Sequence, residues 1–298
     1  MNGSKLSPYD YFGFILAPAL DLYLRLCLSQ KGNNAMKENK LRQLLKENKC
    51  STSTRIWSTW PFYTEAIGAT GNFDYIEFVG EYAPFTQLDL ENICRAAELH
   101  NMGSMMKVDF QGRKYVAQKA VAAGFQAILF ADHHTADEVK ETVKAMKSDT
   151  PWSKGRFGCP SRRFIGTQTY LPQLDHAARL DDVVLAFMIE KDCSMKQVEE
   201  ICQIEGVDMV QFGPSDYSMS LGKNSADIVE DWKAAEREMI ETALKYGVRP
   251  RCEVLKPDQL QYYIDLGVRD FSLGDEFKKL RELWEDDGAK MAEIVSKL

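Results

Sequence analysis

From Ser53 onward, short runs rich in β-branched and aromatic residues alternate with longer runs whose apolar residues recur every three or four positions. The first pattern buries as a strand and the second as a one-sided helix, so their regular alternation marks βα units around a parallel sheet. Strands are expected at 54–60, 75–79, 104–108, 127–131, 183–189, 209–212, 249–254 and 270–273, with helical patterns at 88–100, 114–123, 136–147, 194–205 and 228–246. Gly103, Gly124, Gly206, Gly247 and Gly267 each stand between a helix and the next strand, where a residue at ease with positive φ ends the helix. Eight parallel strands with helices outside close as a (β/α)8 TIM barrel, and a flat doubly wound sheet is the alternative that the same alternation permits. No G-x-G-x-x-G follows the first strand, which weakens the dinucleotide-binding version of that alternative.

The alternation does not reach the first 35 residues. They are locally apolar, lack the basic start of a signal peptide and end in the loop-like Gly32-Asn33-Asn34. Their longest charge-free stretch, 11–20, lies between Asp10 and Asp21 and contains Pro18, too short for the roughly 20 apolar residues of a membrane span. A fresh amphipathic helix, MKENKLRQLLKEN, opens at Met36 with Leu41, Leu44 and Leu45 on one face. The expected organisation is an extension over 1–35, either packed on the barrel or the product of an upstream start, followed by a barrel domain over 36–298.

The 298 residues are 45% hydrophobic, enough for a large core and incompatible with disorder. Forty-four acidic against 37 basic side chains leave a net charge of −7, which argues against a nucleic-acid surface and favours a small-molecule partner. Seven scattered cysteines include no C-x-x-C pair. They support neither a disulfide framework nor a thiolate zinc site and suit a reducing cytoplasm.

Active sites of such barrels sit at the strand C-termini. The strand ends here carry Gly80-Glu81-Tyr82, Lys107 and Asp109, Asp132-His133-His134, Glu190-Lys191-Asp192, Gly213-Pro214-Ser215-Asp216, Glu253 and Gly274-Asp275-Glu276. Acids converging on one rim suit a hard divalent cation, Mg2+ or Mn2+, which takes oxygen ligands and keeps several waters. Glu190, placed directly after the apolar run VVLAFMI, and Asp216 from the neighbouring strand are the candidate ligands; the bland alternative is that both cap the helices that follow. Ser215 and Asp216 offer backbone N–H groups for a substrate carboxylate. Lys107 emerges from SMMKV and could hold an oxyanion or, if its pKa were lowered, form a Schiff base. His133 or His134 could serve as a base at the mouth, whereas His100 and His176 are expected on the surface. Lys154, Arg156, Arg162 and Arg163 form a basic loop that either clamps an anion or is merely solvated.

At these motifs the chain resembles the HpcH/HpaI aldolase family, over about 36–298. The matching pieces are the opening MKENKLRQLLKEN, Trp57, Gly80-Glu81-x-Ala83-Pro84, Ile189-Glu190, and Gly213-Pro214-Ser215-Asp216 with Ser218 and Leu221. The resemblance implies a barrel in which Glu190 and Asp216 bind a divalent metal that chelates pyruvate. It also implies a class II aldolase acting on a 4-hydroxy-2-oxo acid through a pyruvate enolate, with Trp57, Glu81, Lys107, Gly213 and Ser215 around the substrate. A homo-oligomer, hexamer or trimer, with the C-terminal helix 277–298 exchanged between neighbours, is implied as well.

Three departures matter. Tyr82 stands where the family has His, Val79 where it has the partner Asp, and Lys107 where it has an Arg. The family's proton-transferring dyad is therefore missing, and His133 or Tyr82 is expected to replace it. Citrate-synthase-like or citrate-lyase-like enolate chemistry on oxaloacetate or an acyl thioester is the second reading, because it need not deprotonate an aldol hydroxyl. A non-catalytic binding barrel is the third.

Overall fold

In the computed structural model, which describes residues 38–159, 163 and 171–298, eight parallel strands close on themselves in sequence order. They are β1 Ser51–Ile56, β2 Tyr75–Val79, β3 Gly103–Val108, β4 Ala127–Phe130, β5 Val184–Ile189, β6 Met209–Phe212, β7 Arg249–Val254 and β8 Asp270–Asp275. Each pairs only with its neighbours in sequence, and β8 returns to β1 through Ser51 opposite Asp270. The expected extension 1–35, like Met36 and Arg162, lies outside the described residues.

The period-2 pleat sorts side chains to two cores. Tyr75, Met105, Leu129, Ala186, Met188 and Met209 fill the lumen. Ile76, Met106, Ile128, Phe130, Phe187 and Val210 face the helices outside. The helix Lys40–Lys46 closes the bottom: Leu41, 1% exposed, joins the lumen cluster. Arg42 forks onto Asp208 at 2.6 and 2.7 Å, and Asn39 caps the helix by accepting from the Arg42 N–H.

Several boundaries differ from expectation. β1 ends at Ile56 rather than 60, because Pro61 opens a helix over Pro61–Ala69 and residues 57–60 leave the ladder. The helix expected over 194–205 is two short ones, Asp192–Met195 and Val198–Cys202. Gly124, Gly206, Gly247 and Gly267 do take positive φ, but Gly103 does not; Asn101, at φ 55°, makes that turn. Gly103 instead gives room, since a Cβ there would lie 2.8 Å from Gln126 Oε1. His176 is buried at 5% exposure, not on the surface, because it falls on the inner face of the helix Gln173–Asp181. The C-terminal helix Glu276–Val295 is capped by Asp275, which accepts from the Lys278 N–H, and buries none of its residues. No helix among the described residues is long and apolar enough to cross a membrane. The six described cysteines are free thiols.

Candidate active site

The lumen phase of each strand carries over into the mouth. Val184, Ala186 and Met188 point inward, so the next in-phase residue, Glu190, emerges at the top, 1% exposed. Lys107 follows Met105 by the same rule, and Glu81 follows Tyr75 and Glu77. A cavity of about 460 Å³ opens here, lined by Trp57, Tyr82, Lys107, Glu190 and the turn Gly213 to Asp216.

Lys107 Nζ lies 2.5 Å from Glu81 Oε2, both side chains nearly buried. Burial alone would lower the ammonium's pKa, but the charges of Glu190 and Glu81 outweigh it and raise it. Two acids this close favour the ammonium form, which argues against the Schiff-base alternative. Burial pushes Glu190 above the ordinary carboxylate value, against the pull of Lys107 and of the Asp132 N–H, which donates to Glu190 Oε1 at 2.8 Å. The Tyr82 ring sits over Lys107 Nζ at 5.6 Å and tilts against Trp57 at 6.0 Å. Burial pushes its phenol up to about 12.

Neither Glu190 nor Asp216 caps a helix. Lys191 and Gly213 occupy the cap positions of the helices Asp192–Met195 and Pro214–Ser220, and Asp216 lies in the first turn of the second. Gly213 is needed for space: a Cβ there would stand 2.7 Å from Glu190 Cβ and 2.8 Å from its Oε2. The space that a side chain would take is left to the carboxylate. No group of three or more His, Cys, Asp or Glu among the described residues is placed to hold a metal ion, so a divalent ion held by the oxygens of Glu190 and Asp216, both lining this cavity, would have to take its other ligands from water or substrate.

His133 is not in this site. Strand phase would aim it into the lumen after Leu129 and Ala131, but Asp132 takes a left-handed conformation, φ 63°. The turn flips the next side chain into the outer core, where His133 packs edge-on against Phe130 and Phe187. Its Nε2 lies 2.8 Å from Thr142 Oγ1, and burial lowers its pKa to about 3. The described basic residues of the loop are engaged elsewhere: Arg163 pairs with Glu98, Arg156 with Glu141, and Lys154 borders a separate surface cleft.

Sequence reasoning named Glu253 and Asp275 at the strand ends but missed the two arginines of the polar wall on that side, Arg55 and Arg251. Arg55 pairs with Glu253 at 2.5 Å and Asp275 at 3.2 Å. Beneath it, fully buried Arg251 donates to Tyr75 Oη at 2.7 Å, Ser53 Oγ at 3.0 Å, Gln211 and Glu77. The signal was present: charged residues within STSTRI and RPRCEV contradict an apolar parallel strand.

A family model for HpcH/HpaI aldolase/citrate lyase matches residues 70–280. A 2-keto-3-deoxy-L-rhamnonate aldolase of Escherichia coli is 26% identical over 191 residues, 63% of this chain and 69% of that protein. In fold, the chain is similar to the citrate synthase SbnG, with a TM-score of 0.75 at 19% identity over 87% of this chain and all of the other. It is similar to an HpcH/HpaI aldolase from Desulfitobacterium hafniense, with a TM-score of 0.74 at 18% identity over 87% of this chain and 97% of that one.

Proposed function

This chain belongs to the HpcH/HpaI aldolase/citrate lyase family and is an aldolase-type lyase, and from that premise we propose that it makes or breaks a carbon–carbon bond next to a pyruvate enolate at the mouth of the barrel. The observation that carries this reading is the meeting of Glu190, Asp216 and Lys107 at one cavity. Glu190 and Asp216 would hold Mg2+ or Mn2+. Such an ion supplies positive charge to the carboxylate and keto oxygens of an oxo acid. Lys107 adds a fixed ammonium for the oxygen that gains charge as the methyl proton passes to a water in the cavity, and the Glu81 ion pair keeps it in place. The backbone N–H groups of Ser215 and Asp216, in a first helical turn where no preceding carbonyl can take them, suit the substrate carboxylate. Trp57 and Tyr82 wall the acceptor side.

The substrate of this reading is a 4-hydroxy-2-oxo acid. A protein incubated with pyruvate and Mn2+ in D2O should exchange the methyl protons, with exchange abolished by chelator and by the paired change Glu190→Gln, Asp216→Asn. Exchange that survives both treatments rejects the reading.

Tyr82 favours a second reading. With its phenol near 12 it keeps its proton throughout the neutral range, so it can donate to an alkoxide forming in a condensation but is no resting base for cleavage. Enolate condensation with oxaloacetate or an acyl thioester need not deprotonate an aldol hydroxyl, and would call on Tyr82 only as a donor. Consumption of oxaloacetate with no retro-aldol turnover would select it.

The helix Glu276–Val295 supports a homo-oligomer: Phe277, Trp284, Met291 and Ile294 stand exposed along it, the kind of apolar row that a neighbouring subunit covers.

A further inference from the structure

Two residues beside the acids do nothing in the chemistry just described. Asp132 follows β4 in a left-handed conformation, φ 63°, unusual for a residue with a side chain. Its backbone N–H donates to Glu190 Oε1 at 2.8 Å, and its carboxylate lies 2.8 Å from Lys191 Nζ. The same Nζ lies 3.2 Å from Asp216 Oδ1. A ring thus runs from Glu190 through Asp132 and Lys191 to Asp216, so each of the two acids is held by one member of the Asp132–Lys191 pair.

Lys191 is a hazard in that position. Only 12% of its side chain is exposed, and an ammonium with Asp216 as its one partner would settle on the carboxylate a divalent cation needs. Asp132 gives it the nearer anion. We propose that Asp132 is a positioning residue for the metal site: its carboxylate draws Lys191 away from Asp216, and its amide fixes the direction of Glu190. This rests on the reading of Glu190 and Asp216 as metal ligands. The pair also explains why the chain breaks strand phase here, since the left-handed turn sends the amide to one strand's acid and the carboxylate to the neighbouring lysine.

The test is calorimetric titration of metal-free protein with Mn2+ alone. Asp132→Asn, which tolerates the same backbone and removes the charge, should weaken Mn2+ binding about tenfold, as loss of an outer partner of a ligand does. Lys191→Met should bind at least as tightly as the parent, and the double variant should match Lys191→Met rather than add its losses. Asp132→Gly, free in the left-handed region, repeats the measurement should Asn fold poorly. A role confined to loop structure would leave the double variant as weak as Asp132→Asn. That result, or parental affinity in Asp132→Asn, overturns the proposal alone. No Mn2+ binding by the parent, or binding unaffected by Glu190→Gln with Asp216→Asn, overturns the metal reading and this proposal with it.

Discussion

Two charged clusters share one barrel and are treated in opposite ways. On the side of β1, β2 and β7, Arg251 is fully enclosed and donates to four partners drawn from β1, β2 and β6. On the side of β4 to β6, Glu190 has one oxygen held by an amide and the other beside the space left by Gly213, while the Asp216 side chain is 31% exposed and borrows part of a lysine. Charges inside a barrel must be compensated, and the first cluster compensates itself with protein groups. The second leaves oxygen lone pairs facing a cavity. Acids with oxygens turned to an open mouth are what a ligand site looks like; a fully buried guanidinium held by four protein partners, as Arg251 is, is a structural device.

The strongest test of this contrast is Arg251→Met. It strands the buried Glu77 carboxylate and should cost about 3–5 kcal/mol in urea unfolding, most of it recovered by adding Glu77→Leu. A single variant as stable as the parent would break the contrast on the structural side. On the other side, Glu190→Gln with Asp216→Asn should leave stability unchanged while proton exchange into pyruvate falls by about 10³-fold. Lys107→Met should lower the same exchange by about 10²-fold, and Lys107→Arg should restore much of it. Tyr82→Phe sharpens the picture further: exchange stays at the parental rate while turnover with an acceptor falls at least about tenfold. Equal loss in both assays would place Tyr82 with the enolate instead.

The smallest effect concerns Glu236, which lines the far side of the same cavity and accepts from the Tyr263 hydroxyl at 3.2 Å. Burial pushes its carboxyl up to about 7. Because the folded protein holds this proton more tightly than the unfolded chain, its contribution is present below the ordinary carboxylate range and is lost as pH rises through about 7. Glu236→Gln should therefore match the parent at pH 4 and exceed it at pH 8, by at most about 3 kcal/mol. A melting-temperature difference independent of pH would contradict the assignment.

Most of the candidate site was legible because it obeys strand phase. An acid straight after an apolar parallel strand, as at Glu190, has one place to go, and the Gly-Pro-Ser-Asp turn must follow β6 at the same rim. His133 was misleading for the converse reason. It was placed by its position just after β4, and strand phase ends at one backbone dihedral one residue earlier, a property that Asp132 tolerates but does not announce. His176 and Arg163 failed similarly: each is polar enough to read as surface, yet one falls on an inward helix face and the other finds Glu98.

The sequence by itself determined the number of strands, their order along the chain, and which acids reach the rim. Those follow from local periodicity, which every residue shares with its near neighbours. Tertiary structure decided who meets whom. Arg251 and Glu77 lie 174 residues apart, and the Asp132–Lys191–Asp216 bridge joins the ends of three strands. Such pairings exist only after the barrel closes, because closure and stagger bring distant positions to one level, and no pattern within a single strand records that level.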